Sequence, residues 1–548
     1  MKRTLMMLLS FLYLGQGLYA QKENYNWLFS RNVGLTWKTT RDFPAIGLFG
    51  TAVDATLSGI PTEIPSSIYT HEGCFAISDV DGNLLFYSNG ITIWDKNGTP
   101  MPNANGDLTG HSSSSQSGVI VPYPGDNNKY IAFTLGANIS DNLSYSIIDM
   151  TLRQGLGDVM PGKKNILISI GRRGMLGETL TAVRHSNRED FWIVAVGRGL
   201  DPSTNYAAFL NVWKVDKNGV QHTPHYIVSV GSAPRADMYP NGYIVFSPNG
   251  SKFAWNCYGE SQENALVNFV FGEFDNSTGK FGNRYIKKLG TRNNDGHGYG
   301  VAFSKNGKYL YLTSVSGAEI SPYGSNLTIY DIDALLANPT TTNPINTFKF
   351  NPSFLPIKPQ GQSEGNPHLG AIGLAPDGRM YIPQSFSDKN MYVIDNPDDP
   401  TNIRIYKLEN IITTGNLSWG LPTAAAPWFR FEIIPLPEAI ACFNHTSSFD
   451  FQIYGGEGYD DMKTIVVDFG DGKPNSIFTF SPDVSPLDPG YIGIGTKTVS
   501  YTYDKIGTYN LSITAYDAYG VEMQGMKKTA LIKVRSCLLP INPNIHQY

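Results

Sequence analysis

A short hairpin pattern recurs along this chain of 548 residues. Each copy has an apolar run, a turn built on Asp-Gly or Asn-Gly, and a second apolar run, at residues 76–87, 245–255, 301–311 and 373–382. Both dipeptides accept the positive φ that tight hairpins require, so each copy predicts two antiparallel strands. Hairpins that repeat without helical periodicity between them predict an all-β chain whose main domain is a β-propeller.

The spacing of these and similar strand runs predicts six propeller blades, which begin near residues 73, 118, 180, 242, 300 and 370. Two strand-like stretches remain outside these blades, at 26–37 and 420–429. A propeller leaves no sheet edge exposed only if its first and last segments share one sheet. We therefore predict a composite seventh blade made from both stretches, in a propeller of the WD40 or TolB kind, with six blades as the alternative.

The composition changes after the propeller. Residues 433–437 contain two prolines and predict a stiff linker, which ends the propeller domain (21–434) and begins a second domain (435–537). Residues 473–498, rich in Pro, Gly and Ser, are expected to be an inserted loop. Alternation with a period of two predicts an Ig-like β-sandwich whose buried face carries Val499, Tyr501, Tyr503, Tyr509, Leu511 and Ile513.

The chain starts like an exported protein. Lys2 and Arg3 precede an apolar run at 5–14, and Ala20 supplies the small residue of a cleavage site. The run is too short to span a bilayer, so residues 1–20 predict a signal peptide rather than an anchor. We expect the mature protein to be soluble or peripherally attached to a membrane. The net charge of −5 and the lack of a basic block argue against a nucleic-acid partner.

The four cysteines suggest two different roles. Cys74 and Cys257 fall inside strand-like runs and are expected to be small buried side chains. Cys442 and Cys537 bracket the second domain, and a disulfide between them would tie its first strand to its end in an exported protein. Two free thiols are the alternative. The chain has no C-x-x-C pair, so neither a zinc knuckle nor a thioredoxin-type site is predicted.

Three residues of the first domain are candidates for ligand binding. Arg184 and His185 end a strand predicted to be the inner strand of a blade, where a polar tip could reach the central channel. Hydrogen bonds to neighbouring blades are the structural alternative for both. Trp419, in a loop beside Asn416, is the tryptophan expected to be exposed. The tryptophans expected to lie in the cores between blades are Trp94, Trp192, Trp213, Trp255 and Trp428.

The motifs of familiar catalytic sites are missing. The chain has no Ser-x-Asp-x-Gly-x-Thr-Trp box of the kind that sialidases carry, and no Gly-x-Ser-x-Gly, His-Glu-x-x-His or phosphate-binding loop. Each Asp-Gly or Asn-Gly turn provides too few oxygens for Ca²⁺. We therefore expect a protein without enzymatic activity. A secreted hydrolase acting on glycan or protein, with the sandwich as an accessory domain, is the alternative, and two carboxylates in one pocket would favour it.

The second domain resembles a PKD domain, an immunoglobulin-like module. The resemblance rests on Asp468-Phe-Gly-Asp-Gly472, on residues 499–503 and on residues 507–513, although Val467 stands where the family usually has Trp. Some PKD-type domains place a divalent ion near the first of these turns, which makes Asp468 and Asp471 candidate metal ligands for Ca²⁺. A purely structural Asx turn is the alternative, and no other cofactor is expected.

The first domain is similar to the propeller of exported Bacteroidota proteins, including surface proteins associated with gliding motility and type IX secretion. The resemblance lies in stretches at 72–79, 82–94, 114–122, 155–159, 178–187, 374–381 and 420–422. Members often carry a C-terminal sorting domain, for which residues 538–548 are expected to be too short a tail. The resemblance implies an exported binding or structural protein of the cell surface, outer membrane or periplasm. Its propeller loops would recognise an envelope protein or a glycan.

Overall fold

The computed structural model of the chain describes most of residues 22–537. Within that range it leaves out residues 80, 138–142, 169–174, 188, 200–204, 235–239, 258–265, 292–296, 316–324, 351–367, 386–388, 426–431, 436–438, 455–461, 482–490, 493–494, 518–519 and 521. The predicted signal peptide and the C-terminal tail therefore lie outside the described residues. Two compact units contain the rest, Lys22–Trp428 and Phe429–Tyr548.

The first unit begins with an antiparallel meander of three strands, β1 (Asn26–Phe29), β2 (Val33–Gly47) and β3 (Ala55–Glu63). Six groups of strands follow within the described residues, and the strands of each group pair antiparallel. The first three groups are β4 (Phe75–Ser78), β5 (Leu84–Ser88) and β6 (Ile93–Asp95); β7 (Gly118–Tyr123), β8 (Asp126–Leu135), β9 (Leu143–Asp149), β10 (Asp158–Val159) and β11 (Ile166–Leu167); and β12 (Met175–Arg184), β13 (Phe191–Arg198), β14 (Asn205–Asp216), β15 (Gly219–Val220) and β16 (Tyr226–Pro234).

The last three groups are β17 (Ile244–Phe246), β18 (Lys252–Asn256), β19 (Leu266–Asp275) and β20 (Lys280–Thr291); β21 (His297–Phe303), β22 (Tyr309–Val315), β23 (Ser325–Asp331) and β24 (Asn346–Phe350); and β25 (His368–Leu369), β26 (Gly373–Leu374), β27 (Met380–Ser385), β28 (Met391–Ile394) and β29 (Ile405–Leu408). Helical segments in the described residues are short: α1 (Ile332–Ala337) and the 3-10 segments Pro102–Ala104, Leu152–Gly155 and Pro400–Asn402. None of these helices is long and apolar enough to cross a membrane. The all-β prediction is confirmed.

The four repeated hairpins are confirmed as antiparallel pairs, β4 with β5, β17 with β18, β21 with β22, and β26 with β27. Their turns depend on glycine where the sequence indicated it. Gly250 and Gly307, for example, have φ of 68° and 67°, a region that other residues rarely adopt. The dipeptide pattern identified the turns because Asp-Gly and Asn-Gly supply the positive φ that the backbone of a tight turn requires. A general preference of these residues for loops would not have located the turns.

Apolar side chains fill the space between neighbouring sheets. Trp192 from β13 belongs to the same buried cluster as Phe246 from β17 and Trp255 from β18. Trp94 and Trp213 are also buried, as expected for core residues, and Trp428 lies outside the described residues. Each sheet thus buries side chains of both its faces, which explains why its strands carry continuous apolar runs as well as alternating ones.

Both ends of the first unit pair with each other through the main chain. Arg31, which follows β1, donates its N–H to the Asn416 carbonyl oxygen at 3.1 Å and accepts the Asn416 N–H at 2.9 Å. The far end of β2 adds a second junction, because Ile46 pairs antiparallel with Lys407 of β29. Strands from the start of the unit are thereby joined to strands from its end.

The C-terminal segment 416–423 lies between the sixth group of strands and the first. On one side, the carbonyl oxygen of Trp419 accepts the N–H of Ala371 at 2.7 Å. On the other side, the carbonyl oxygen of Cys74 accepts the N–H of Thr423 at 2.8 Å. Stretches assigned from the sequence to one composite blade are therefore brought together, up to the last residue described here, 425.

The second unit consists of nine described strands in two sheets. One sheet contains β30 (Glu432–Pro435), β32 (Thr446–Tyr454) and β36 (Gly495–Thr502). The other contains β31 (Ala439–Cys442), β33 (Met462–Asp468), β34 (Ser476–Phe480), β35 (Tyr491–Ile492), β37 (Gly507–Asp517) and β38 (Glu522–Arg535). Side chains of both sheets share one core, in which Val499, Tyr503, Leu511 and Ile513 are buried as expected, while Tyr501 and Tyr509 pack against it partly exposed.

Two boundaries differ from the sequence predictions. Residues 433–435 are not a linker, because β30 pairs with β32 and its Pro435 lies opposite Phe451. Proline has no main-chain N–H to donate. An outer strand of a sheet tolerates it because such a strand is paired on one side only and the neighbouring strand does not need that N–H. The second unit therefore starts at 429, ahead of the predicted 435. The predicted loop 473–498 likewise contains β34, whose Ile477 pairs with Val466 of β33.

The structure agrees with the predicted disulfide in the second domain and not with its alternative of two free thiols. Cys442 and Cys537 form a disulfide across a Cα–Cα distance of 5.3 Å and a sequence separation of 95 residues. The bond ties β31 to the chain just beyond β38, and the two strands also pair in parallel. Cys74 and Cys257 are free and buried in the first unit.

The pairing of the chain ends predicts a sharp difference between two glycine variants. A Cβ at Gly420 would lie 1.9 Å from the carbonyl oxygen of Glu72, whereas a Cβ at Gly106 would meet no atom of the described residues within 4 Å. We expect Gly420→Ala to lower the free energy of unfolding by about 3 kcal/mol or more, and Gly106→Ala by about 1–2 kcal/mol through its positive φ. All eight tryptophans precede residue 429, so urea unfolding followed by tryptophan fluorescence reports on the first unit. Equal losses would contradict the observed packing of 416–423.

The disulfide predicts a selective effect of reductant on the second unit. Closing a loop of this length restricts the unfolded chain, so the Cys442→Ser, Cys537→Ser double variant should lose about 4 kcal/mol of stability. Hydrogen exchange at the amides of β31 and β38 should accelerate in the variant, and dithiothreitol should produce the same change in the unaltered protein. The double variant is the control, because reductant should not change its exchange further.

Candidate functional site

A cavity of about 390 Å³ opens where the first strands of several sheets begin. Its wall consists mainly of polar side chains, with one tryptophan: His71, Glu72, Ser113, Ser115, Glu178, Asn241, Ser418 and Trp419. Most of these residues directly precede β4, β7 or β17, or stand near the start of β12. The cavity is therefore assembled from segments that are far apart in the sequence and meet at one end of the sheets.

Glu72 lies where the wall meets the buried core. Its Oε1 accepts a hydrogen bond from the hydroxyl of Tyr299 at 3.1 Å, and its Oε2 accepts one from the hydroxyl of Ser113 at 3.1 Å. Tyr299, in β21, has no exposed surface. The carboxyl group is thus held by a side chain of β21 and by one from the segment before β7, which leaves it little freedom to rotate.

Glu178 is the second acid of the cavity and is 5% exposed. Its Oε2 accepts hydrogen bonds from the Ser115 N–H at 3.2 Å and from the Ser115 hydroxyl at 3.4 Å. Its main chain is fixed on both sides, because its N–H donates to Pro240 O and its carbonyl oxygen accepts the N–H of Gln116. β12 therefore presents this carboxyl group to the cavity in one defined position.

The two acids influence each other electrostatically. Burial, together with the negative charge of Glu178, raises the pKa of Glu72 from 4.5 to about 8. The hydrogen bonds from Tyr299 and Ser113 lower this pKa but do not compensate. At neutral pH, Glu72 therefore carries a proton and can donate a hydrogen bond. Burial, followed by the charge of Glu72, also keeps the pKa of Tyr299 well above its usual value, so its hydroxyl stays protonated.

A cation contacts the imidazole of the wall. Nη2 of Arg31 donates to Nδ1 of His71 at 3.2 Å, and the Arg31 guanidinium lies 5.7 Å from the ring centre of Tyr69. Partial burial, then the charges of Arg31 and His111, lower the pKa of His71. The imidazole is therefore neutral at pH 7, with Nδ1 accepting and the other ring nitrogen protonated.

Trp419 and Asn241 complete the wall. The indole of Trp419 is partly exposed and meets the ring of Tyr299 edge-on at 5.6 Å. The main-chain N–H of Trp419 donates to the carbonyl oxygen of His71 at 3.1 Å. This bond places the indole beside the two acids. Oδ1 of Asn241 is buried and has no hydrogen-bond partner among the described residues. An acceptor in that state lacks the hydrogen bond that buried polar atoms usually make.

The structure places the three ligand-binding candidates from the sequence in two different regions of the first unit. Trp419 lines the cavity, but Arg184 and His185 lie at the opposite end of β12 from Glu178, about 20 Å of strand away. His185 stacks on Trp192 at 5.2 Å, and its Nδ1 accepts the N–H of Asn187. β12 thus carries Glu178 of the cavity near its start and the two predicted ligand residues at its other end.

Asp468 and Asp471 serve the turn in which they lie. Oδ1 of Asp468 accepts the N–H of Gly470 at 2.8 Å, and Oδ2 of Asp471 accepts the hydroxyl of Tyr501 at 2.8 Å. Lys473 contributes a further contact to Asp471, with Nζ 3.6 Å from Oδ2. The carboxylates are thus engaged as in the structural alternative. Among the residues described, no three His, Cys, Asp or Glu side chains form a group that could share a metal ion.

Sequence reasoning missed most of this site. Glu72, Glu178, Tyr299 and Asn241 were not singled out, although two of them stand in stretches noted for other reasons. A usable signal exists: each of the two acids stands just ahead of, or early in, the first strand of a predicted blade. The cavity opens where these strands begin, so acids that recur at such positions would have pointed to it.

Comparisons with known proteins add little. No protein-family model and no curated protein matches the chain. Among solved structures, the sucrose-6-phosphate hydrolase from Lactobacillus gasseri aligns over 76% of this chain and 86% of its own, with 11% identity and a TM-score of 0.26. That score is too low to establish a shared fold.

The raised pKa of Glu72 predicts an unusual pH dependence of stability. Below about pH 4.5 the carboxyl is protonated in both the folded and the unfolded chain, whereas between about pH 4.5 and 8 only the folded chain keeps the proton. The contribution of Glu72 to the free energy of unfolding should therefore fall as the pH rises through this window. Tryptophan-detected urea unfolding of the unaltered protein and of Glu72→Gln, across that range, measures the difference.

The exposed Glu189 offers a matched control for that experiment. Glu189→Gln should keep the pH dependence of the unaltered protein, whereas Glu72→Gln should be more stable than the unaltered protein at the alkaline end of the window. Identical pH profiles for all three proteins would show that the folded chain holds no extra proton at Glu72.

Proposed function

We propose that the first unit is a seven-bladed β-propeller and the second an Ig-like sandwich of the PKD type. Six successive groups of antiparallel strands and the meander β1–β3, which joins the sixth group through the pairing of β2 with β29, support seven blades. The segment 416–423 would be the innermost strand of the seventh blade, since it touches Ala371 on one side and Cys74 on the other. A six-bladed ring would leave no place for a strand between those neighbours. The DFGDG turn and the aromatic stack of Phe469 on Tyr501 at 3.8 Å support the PKD assignment.

We further propose that the protein is exported and works at the cell envelope as a non-enzymatic binding protein. The Cys442–Cys537 disulfide supports an oxidising compartment, and the leader-like residues 1–20 agree with it. The similarity to gliding and type IX secretion proteins of Bacteroidota suggests a role in those processes, with peripheral attachment to the outer membrane. The partner would be an envelope protein or a glycan.

The observation that carries the binding function is the cavity at the start of the first strands. Recessed sites of a few hundred Å³ with a few fixed polar groups are typical of ligand recognition. Here Glu72 and Glu178 are each held by hydrogen bonds from serine neighbours, and Trp419 adds an aromatic surface. Preorganisation of this kind lowers the entropy lost on binding.

A secreted glycosidase is the second candidate, and the acid pair favours it. Glycosidases combine a protonated carboxylic acid with an ionised partner, and a neighbouring charge often keeps the two pKa values apart. In that reading, Glu72 is the proton donor and Glu178 the nucleophile or base. Release of reducing sugar from polysaccharides by the unaltered protein, lost in both Glu72→Gln and Glu178→Gln, would decide for this alternative.

Envelope extracts of Bacteroidota cells provide the test of the binding function. We expect the immobilised protein to retain a partner, identified by mass spectrometry or by sugar analysis. Trp419→Ala should lose at least about tenfold of the bound material, because the aromatic surface of the site is removed. Arg184→Ala, at the other end of β12, is the matched control and should bind as before. Equal retention by both variants would rule out the cavity as the binding site.

A further inference from the structure

We propose that the cavity bounded by Trp419, Glu72, Glu178 and Asn241 is a site for one uncharged, hydroxyl-rich sugar residue. This proposal rests on the binding function above and specifies its ligand. The cavity volume of about 390 Å³ lies in the range of small-molecule sites. One sugar ring with its bound water fits this space, whereas a folded protein surface could insert only a single side chain.

The hydrogen-bonding groups of the wall call for a ligand that donates. Oδ1 of Asn241 is a buried acceptor without a partner among the described residues, and the Glu178 carboxyl adds acceptor oxygens. A buried acceptor left unpaired destabilises a protein by about 1–3 kcal/mol. Several hydroxyl groups on one small ring can supply these donors and also accept a hydrogen bond from a protonated Glu72.

The charges around the cavity favour an uncharged ligand. Glu178 is a negative charge on the inside of the cavity, while Glu72 is protonated at neutral pH. The cation of Arg31 contacts His71 of the wall. An anionic ligand would lie beside Glu178, and a cationic one would meet the charge of Arg31 behind His71. Neither charge sign is therefore matched by the site as a whole.

The single aromatic residue of the wall fits the same ligand. Sugar rings have an apolar face of C–H groups besides their hydroxyls, and such a face packs on an indole ring. Trp419 offers part of its ring to the cavity and is held by Tyr299 behind it and by its main-chain bonds to His71 and Ala371. The site thus combines one apolar surface with polar groups on the remaining wall.

Binding of free sugars to the full-length protein tests this inference. We expect neutral sugars, presented as glucose, galactose, mannose, N-acetylglucosamine and their oligosaccharides, to bind with a change in tryptophan fluorescence. Glucuronic acid and glucosamine, which carry opposite charges, should bind at least about tenfold more weakly. A preference for either charged sugar would overturn the proposal.

Variants distinguish binding at this site from nonspecific binding. Asn241→Ala should weaken the best neutral sugar by about tenfold or more without loss of stability, since the removed oxygen has no partner among the described residues. Trp419→Ala should abolish binding, and Arg184→Ala should leave it unchanged. If a variant fails to fold, saturation-transfer NMR on the unaltered protein still decides, because the protons on one face of the sugar ring must contact an aromatic residue.

The outcomes for this inference and for the binding function are distinguishable. If no sugar binds but Trp419→Ala still loses its envelope partner, the cavity serves another ligand and the sugar proposal fails alone. If neutral sugars bind and are cleaved, the site is that of a glycosidase, and the binding function fails while the ligand class holds. If neither sugar nor envelope partner depends on Trp419, both proposals fail.

Discussion

The main-chain pairing between the two ends of the first unit is the interaction on which the rest of the molecule depends. Arg31 and Asn416 exchange two N–H to carbonyl hydrogen bonds, although nearly the whole unit separates them in sequence. The entropic cost of bringing two distant segments together rises only slowly with the length of the chain between them. In return, sheet edges that would otherwise be open to other chains are covered. The hairpins along the unit are local structures, and this junction makes them a single body.

The candidate site is a product of the same junction. The segment 416–423 carries Trp419 to the cavity, and its main-chain bond to His71 fixes the indole next to Glu72. Gly420 has no side chain where the carbonyl oxygen of Glu72 passes, which permits the close approach. Stability and binding geometry therefore depend on the same few contacts. A change that loosens the junction should disturb the site before it affects distant sheets.

These relations explain which features could be predicted from the sequence. Hairpin turns were predictable because positive φ at residues such as Gly250 is a local requirement with a local signature. The buried face of the second unit was predictable because alternation from Leu511 to Ile513 reflects burial directly. Glu72 and Glu178 could not be assigned in the same way, since no local pattern reports that two acids 106 positions apart will share a cavity. Pro435 misled the boundary prediction because proline is excluded only from the inner strands of a sheet, whereas β30 is an outer strand.

The acid pair is the feature that folding alone does not account for. A buried carboxyl with a pKa near 8 is less favourable for the folded state at neutral pH than an amide of the same shape would be. Nothing in the sheet pairing requires an acid at Glu72, because the oxygen of a glutamine could accept the Tyr299 hydroxyl while its amide NH2 donates to the hydroxyl oxygen of Ser113. Local departures from what stability favours concentrate at functional sites. The position of this departure, in the same cavity wall as a partly exposed indole and an amide whose oxygen has no partner in the described part of the chain, is therefore the strongest physical reason to assign function to this end of the sheets rather than to the end marked by Arg184.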